Sequence, residues 1–373
     1  MNKLFFTLLT FFLNILLTII FASCSSPEAK IVFDLQEMPA IPLEGELMEE
    51  ELLAPYTKQM KFIQSYLFHF TPQYENVCLI TNEKADTIGN LGTVGQGPGE
   101  LNDWPYFAGT SLFQDTVYMY DTRKTRVFVY EVNVSSEGVE YSFLHSTEKK
   151  KEKTLPEGFK SSSIFKLCRL QNGYYVGLRM LNHKDMFTLF DSNLNEITSF
   201  GEYPISNVLQ NDMVHFTSYF DGYMEAHGNS FYFGITRFAY MARYDISHDG
   251  KVTKVWDGFY AKMKCKEENN GLRFYGDSNI EGFYAFTVGK KYIYAAYSGV
   301  KSGEMFKARS AKALYPKNLV VFDLNGKPLA KFSMDKCFVP LCLDDKEEYL
   351  YIQHDDPDTS LWRYKVSDIL KHL

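Results

Sequence analysis

The sequence lacks the features by which several large classes of protein are recognised. Acidic residues outnumber basic ones, and the net charge is −7. This balance argues against general nucleic-acid binding, which needs a basic surface. The eight histidines show no HxxxH or HExxH spacing, and no Gly-x-Ser-x-Gly nucleophile elbow is present. We therefore expect no cofactor and no metal, and short motifs identify no catalytic residue.

Cysteine is also scarce, and its spacing excludes a disulfide framework. If Cys24 is used by the N-terminal signal, the five that remain are odd in number and irregularly spaced. Cys337 and Cys342 are close enough for half of a metal site, but no CxxC partner or matching histidine accompanies them. We expect the five thiols to be free and buried.

The first 24 residues have the pattern of an export signal. Lys3 precedes an apolar run from Leu4 to Ile20, and the stretch ends in Phe-Ala-Ser-Cys24. This ending resembles the lipobox of bacterial lipoproteins, in which the chain is cut before the cysteine and the sulfur carries a lipid. An uncleaved membrane anchor is the alternative, because the run is near spanning length. No later stretch is long and apolar enough to span a membrane.

The signal sets the expected location and domain boundaries. We expect a lipid-anchored protein of the cell envelope at the outer membrane, with the periplasmic or surface side left open. Residues 1–24 form the signal peptide, residues 25–57 form a tether with an N-terminal closing strand, and residues 58–373 form the folded domain.

A run of three or four apolar residues around a tyrosine recurs along this domain at near-constant spacing. Tyr118, Tyr175, Tyr232, Tyr294 and Tyr351 follow one another at intervals of 57, 57, 62 and 57 residues. A regular period of this size marks a repeat architecture. The 16% aromatic content is typical of β-strands, where large flat side chains pack on a pleated surface.

The mature chain has room for about six such units, and each unit contains up to four short strands separated by turn residues. Four-stranded antiparallel units without intervening helices predict an all-β fold, a six-bladed β-propeller. The last unit lacks a fourth strand, and the first lacks a clear first strand. Because an open blade would leave unpaired backbone groups, we expect a strand from Ile31–Leu35 or Glu51–Tyr56 to complete the last blade.

A glycine-rich joint follows the first unit, with Gly95, Gly97, Pro98 and Gly99 at its centre. A phosphate-binding loop is disfavoured, since no Gly-Lys-Ser/Thr follows and prolines interrupt any helix. A tight structural joint between blades is favoured. Gly-Gln-Gly-Pro-Gly-Glu-Leu, followed by an Asp-x4-Arg-Val-x-Val-Tyr hairpin ending at Tyr130, resembles the TolB-like six-bladed propeller lipoproteins, whose blades are similar to NHL repeats. The resemblance implies a membrane-anchored propeller outside the cytoplasm.

In a four-stranded blade, the turns between the second and third strands (b–c turns) and the joints between blades (d–a joints) share one face. We expect a partner or ligand to bind there, at the mouth of the central channel. The candidates in the b–c turns are basic, and two more lie in the long joint before the fifth blade: Arg123, Arg179, His183, Arg237 and Arg309, with Arg273 and Tyr275. A mostly basic face can attract an anionic ligand.

The favoured function is therefore binding without chemistry, with an unknown envelope protein, a peptide or a glycan as partner and no nucleic acid. The alternative is a metal-dependent hydrolase or lyase with its site at the channel mouth. Such sites combine Asp, Glu, Asn and His side chains from several blades. Residues from different blades have no fixed spacing in the sequence, so a spacing motif cannot reveal such a site. An enzyme is thus the less favoured interpretation, but the sequence leaves it open.

Overall fold

The computed structural model describes residues 32–52, 57–71, 76–102, 105–149, 164–179, 185–204, 221–268, 271–274, 278–355 and 359–373. Two short N-terminal strands, β1 (Ala40–Pro42) and β2 (Glu46–Glu49), precede the blades. The chain then forms six sheets: the first four are four-stranded and follow sequence order, and the last two each include one of the N-terminal strands. The predicted all-β six-bladed propeller is confirmed.

The strands of the first three blades follow one another as antiparallel meanders. Blade one contains β3 (Gln59–Ile63), β4 (Tyr66–Phe70), β5 (Asn76–Thr81) and β6 (Thr87–Thr93). Blade two contains β7 (Pro105–Thr110), β8 (Thr116–Asp121), β9 (Arg126–Ser135) and β10 (Gly138–Glu148). Blade three contains β11 (Ile164–Arg169), β12 (Tyr175–Arg179), β13 (Asp185–Phe190) and β14 (Glu196–Glu202). Blade one thus has the first strand that the sequence did not reveal.

The last three blades continue the same order. Blade four contains β15 (Gly222–His227), β16 (Ser230–Ile235), β17 (Tyr240–Ile246) and β18 (Val252–Phe259), and the hairpin β19 (Cys265–Glu268) with β20 (Gly271–Phe274) follows it. Blade five contains β21 (Phe283–Val288), β22 (Tyr292–Tyr297), β23 (Asn318–Asp323) and β24 (Pro328–Ser333). Blade six contains β25 (Phe338–Leu343), β26 (Tyr349–Asp355) and β27 (Thr359–Lys365). Three short helices are described: α1 (Glu304–Ala308), the 3₁₀ helix η1 (Ala311–Leu314) and α2 (Val366–Leu370).

An N-terminal strand closes the ring, as predicted, but it is a different segment from the two proposed. β2 pairs antiparallel with β27 and is the outermost strand of blade six. Glu46 and Arg363 lie opposite each other, with Arg363 Nε and Nη2 donating to the carboxylate at 2.8 and 3.0 Å. An outermost strand needs only one covered face, so this acidic segment did not have the pattern of a buried strand.

The residues around β2 extend the same closure to two more blades. The backbone N–H groups of Val32 and Leu35 donate to Phe259 and Tyr260 at the end of blade four. β1 then pairs in parallel with β24, so that blade five has five strands. Residues 32–52 therefore connect blades four, five and six, and Leu35 is completely buried among them.

The hydrophobic core lies between neighbouring blades as a series of clusters that runs around the ring. The five periodic tyrosines all lie on the second strand of their blades, as the repeat predicted, and they contribute to these clusters. At the closing interface between blades six and one, Tyr351 stacks on Phe62 with ring centroids 5.8 Å apart. The repeat thus arises because each blade must present a broad side chain to its neighbour.

Four cysteines, Cys78, Cys168, Cys337 and Cys342, are buried and free, as expected. Burial raises the pKa of the Cys168 and Cys342 thiols, so both remain protonated. Within the described ranges, no helix is long and apolar enough to cross a membrane. Cys24 and the apolar run before it lie outside the described residues.

Candidate functional site

The first strands of all six blades surround a central channel that contains two cavities. The first has a volume of about 360 Å³ and is lined by the opening residues of these strands, where the d–a joints enter the blades. We call it the mouth cavity and its side of the ring the loop face. Each blade contributes a side chain: Gln59, Tyr106, Lys166, Tyr223, Tyr284 and Val339. This is the face on which the sequence analysis expected binding.

The second cavity, of about 460 Å³, opens on the opposite face, among the turns between first and second strands. Its carboxylates have structural partners within the turns. Asp344 accepts hydrogen bonds from the backbone N–H groups of Glu348 and Tyr349, and Glu347 accepts one from the N–H of Lys290. We therefore take the mouth cavity as the candidate site.

A partition lies between the two cavities. Gln59, Phe107 and Met224 line both of them. Directly beneath, Lys61 of blade one reaches across the channel to Glu225 of blade four, with Nζ 2.5 Å from each carboxylate oxygen. Burial alone would lower the pKa of Lys61, but the charge of Glu225 reverses this effect and holds the pKa above its ordinary value. Lys61 is therefore a permanently charged strut between opposite blades.

One wall of the mouth cavity is an ion pair with aromatic neighbours. Lys166 donates to Asp221 Oδ1 and to the backbone oxygen of Gly222, both at 2.7 Å. Its ammonium group lies 5.7 Å from the ring centre of Tyr106 and 5.2 Å from that of Phe165. Such contacts stabilise a cation that has lost part of its water. The cation and the carboxylate neutralise each other, so this wall has no net charge.

Three tyrosine hydroxyls of the cavity are held in the neutral form. Burial raises the pKa of Tyr106, and the charge of Asp221 raises it further. Burial also raises the pKa of Tyr284, with Glu281 adding to the effect. Burial raises the pKa of Tyr223 as well, although Lys61 opposes the shift. These phenols can donate hydrogen bonds but are not poised to act as bases.

The long b–c insertion of blade five, residues 298–318, folds over the cavity. It contains α1 and η1, and Tyr315 follows η1 and lines the cavity. The rings of Tyr315 and Tyr284 pack edge to face with centroids 5.9 Å apart. Ser302 of the same insertion donates to the buried carboxylate of Glu281 at 2.6 Å. The length of this loop was the signal in the sequence that pointed toward the site.

The predicted basic residues are not gathered at one point. Arg237 lies next to the cavity, where its Nη1 donates to Glu281 at 3.2 Å while its side chain remains 47% exposed. Arg123 and Arg309 are exposed on the b–c turns of blades two and five. Arg179 is buried inside blade three and donates to Thr188, Glu196 and Ser199, so its guanidinium stabilises that blade. Its charge is therefore turned away from the channel.

Two of the other candidates, His183 and Tyr275, lie outside the described residues, and Arg273 is described only as a backbone position in β20. The residues that sequence reasoning missed lie in the first three positions of the innermost strands, such as Tyr106, Lys166 and Tyr223. The sequence therefore shows where these residues lie along the chain, but it does not show that they meet in one cavity.

The glycine-rich joint between blades one and two forms a closed loop. The backbone N–H of Gly95 donates to Leu101, and that of Gly97 donates to the Glu100 carboxylate at 2.6 Å. Lys124 donates to the carbonyls of Gly95 and Glu100 at 3.0 and 2.7 Å. Gly99 has φ +76°, and a Cβ there would lie 2.7 Å from Phe143. The joint, with Pro98 at its centre, is thus filled by groups of the protein itself.

The enzyme alternative requires a metal site at the channel mouth. Across the described part of the chain, no three His, Cys, Asp or Glu side chains are arranged to hold a metal ion. Among the described residues, Asp221 lines the mouth cavity and pairs with Lys166, and the buried Glu281 pairs with Arg237.

Comparison with known proteins identifies the fold family. The model of the family described as TolB-like 6-blade propeller-like matches residues 82–346. A solved structure from Bacteroides fragilis, of a protein inferred to be exported, aligns with a TM-score of 0.53 and 11% identity over 88% of this chain and 94% of that chain. No curated protein matches the sequence.

Two further solved structures align more loosely. A gluconolactonase from Xanthomonas campestris gives a TM-score of 0.46 and 10% identity over 91% of this chain and 97% of that one. A functionally unknown protein from Desulfotomaculum acetoxidans gives a TM-score of 0.40 and 10% identity, over 74% and 68%. Identities of 10% carry nothing about activity.

Proposed function

Because this chain belongs to the TolB-like six-bladed propeller family, we propose that it is a lipid-anchored protein outside the cytoplasm that binds a ligand or partner on its loop face, without chemistry of its own. One observation carries the proposal: all six blades present side chains to a single cavity at the centre of that face. A concave site with aromatic walls and a few converging polar groups is the usual form of a ligand pocket.

The proposed absence of chemistry follows from the state of the groups in the cavity. The raised pKa values of Tyr106, Tyr223 and Tyr284 keep their hydroxyls protonated, and Lys166 and Asp221 neutralise each other. General acid–base catalysis instead needs a group whose pKa is near the working pH. Arg237, Arg123 and Arg309 lie on the same face, where they can attract an anionic portion of a partner.

The proposed location rests on the sequence before the described residues and on two supporting findings. The segment ending in Cys24 has the lipobox pattern, the chain belongs to the TolB-like propeller family, and the Bacteroides fragilis neighbour is inferred to be exported. The outer membrane is the proposed site of anchoring.

Photo-crosslinking in living cells tests the binding face. We expect benzoyl-phenylalanine placed at Lys58, on the rim of the mouth cavity, or at Arg309 to form adducts with the bound partner. The same group at Lys290 or Phe113, on the opposite face, is the matched control and should form none. Mass spectrometry of the adducts distinguishes a protein from a peptide or glycan. Adducts confined to Lys290 and Phe113, or absent from all four positions, would show that the loop face is not the binding surface.

Metabolic labelling tests the anchor. In cells given an alkyne-bearing fatty acid, the wild-type protein should take up label, and Cys24→Ser should take up none because the acylated sulfur is gone. Cys78→Ser, which removes a buried thiol of blade one, should keep full labelling. Label that persists in Cys24→Ser would refute anchoring at this cysteine.

A further inference from the structure

The mouth cavity contains a buried hydroxyl whose proton finds no acceptor in the described part of the protein. Tyr223 lines the cavity and is only 8% exposed, and the cation near its hydroxyl, Lys61, can donate to the oxygen but cannot accept the proton. The Lys61 ammonium lies 6.0 Å from the centre of the Tyr223 ring. Buried polar groups are normally satisfied, and an orphan is costly. An oxygen atom of a ligand in the cavity would supply the missing acceptor.

The backbone edges at the cavity are already occupied, which disfavours an extended peptide as ligand. Gln59 of blade one donates to the carbonyl of Phe107 and accepts from its N–H, at 3.4 and 3.0 Å. Lys166 Nζ donates a hydrogen bond to the carbonyl of Gly222, and the Thr236 hydroxyl donates one to the carbonyl of Phe283 at 3.3 Å. A peptide that binds by strand addition needs such backbone groups to be free. We therefore expect side chains, and not backbone groups, to recognise the ligand.

The walls also disfavour a highly charged ligand. The positive charge of Lys166 is neutralised by Asp221 within the cavity wall, and a multiply charged anion would have to break this pair. What remains on the walls is a combination of aromatic rings (Tyr106, Phe107, Tyr284) and phenol hydroxyls, among them the unsatisfied hydroxyl of Tyr223. A ligand that matches this combination has apolar C–H faces to pack on rings and hydroxyl edges to form hydrogen bonds.

We infer that the mouth cavity binds a neutral saccharide, as a single ring or as the end of a chain, with the Tyr223 hydroxyl donating to a sugar oxygen. This inference rests on the proposed binding function and specifies its ligand. The cavity volume of about 360 Å³ falls within the usual range for small-ligand sites, roughly 300–1,000 Å³. Tyr315 on the blade-five insertion provides an aromatic surface that can close over the bound ring.

The test uses the full chain in lauryldimethylamine oxide, a detergent without a sugar headgroup. Saturation-transfer NMR and calorimetry are run with cellobiose, maltose, lactose and diacetylchitobiose as neutral probes, with trigalacturonate as the charged probe and a Gly-Ser hexapeptide as the peptide probe. We expect at least one neutral disaccharide to bind. Tyr223→Phe should then raise its Kd by about two- to tenfold, the effect of one hydrogen bond. Tyr141→Phe, which removes a tyrosine hydroxyl from the exposed outer strand of blade two, should leave the Kd unchanged.

Tyr223→Phe also has an expected effect on the melting temperature of the ligand-free protein. Because the Tyr223 hydroxyl has no acceptor among the described residues, its removal should leave the melting temperature unchanged or raise it. A Kd unaffected by Tyr223→Phe would overturn the assigned contact. Binding of trigalacturonate or the peptide alone would overturn the neutral-saccharide class and leave the binding function standing. If none of the probes binds while Lys58 still yields adducts in cells, the saccharide inference fails and the proposed function survives; if neither occurs, both fail.

Discussion

A protein that begins at Thr57 is expected to be less stable than one that begins at Val32 by at least about 5 kcal/mol, which is as large as the whole stability of many domains. The deletion removes the outermost strand of blade six and the fifth strand of blade five. It also removes Leu35, whose complete burial alone contributes about 1.5–3 kcal/mol. The exposed edge of β27 would then present unpaired backbone groups.

Urea denaturation followed by tryptophan fluorescence measures the difference. The longer form should unfold in one cooperative transition, and the shorter form should show an early, broad transition or none. Addition of a peptide covering residues 32–52 should restore part of the lost stability, because β2 can pair with β27 in trans. Equal midpoints for the two forms would mean that the closing strand contributes little.

A point-mutation pair separates burial from strand pairing within this segment. Leu35→Ala should cost about 2–5 kcal/mol, as expected for a large-to-small change in a core. Leu47→Ala, on β2 itself, should cost much less because Leu47 is 39% exposed.

The second large effect is expected at the strut across the channel. Lys61→Met leaves Glu225 buried without its cation and should destabilise the protein by about 3–5 kcal/mol. Glu225→Met should cost a similar amount, since Lys61 would lose its carboxylate. The side chains are only 12% and 13% exposed, so water from the second cavity can replace the missing partner only in part. The double variant Lys61→Met/Glu225→Met should recover most of the loss, because the channel would then contain two apolar side chains.

The wild type, the two single variants and the double variant form a double-mutant cycle, in which stability is measured by thermal and urea unfolding. The surface pair Arg126–Glu148 is the control: its side chains are 42% and 44% exposed, and Arg126→Met should cost less than about 1 kcal/mol. A Lys61→Met cost no greater than that of Arg126→Met would show that the channel pair is as solvated as a surface pair. A double variant as unstable as the sum of the singles would show that the pair itself does not couple the two blades.

The sequence predicted the candidate site less completely than the fold. It indicated the face on which the mouth cavity lies and the long insertion of blade five, which brings Tyr315 to the wall. It did not distinguish Arg179, which is used inside its own blade, from Arg237, which lies next to the cavity. A turn arginine is charged in either place, and only its neighbours from other strands decide where the guanidinium points.

The sequence by itself determined the repeat, the number of blades and the strand on which each periodic tyrosine lies, because every blade is a local antiparallel meander with its own turns and apolar pattern. Only the tertiary structure decided that Glu46–Glu49 closes the ring, that Lys61 reaches Glu225 across the channel, and that Tyr106, Lys166 and Tyr223 share one cavity. These contacts join residues from different blades that are far apart in the chain. They depend on the radius and closure of the ring, and no local periodicity encodes either.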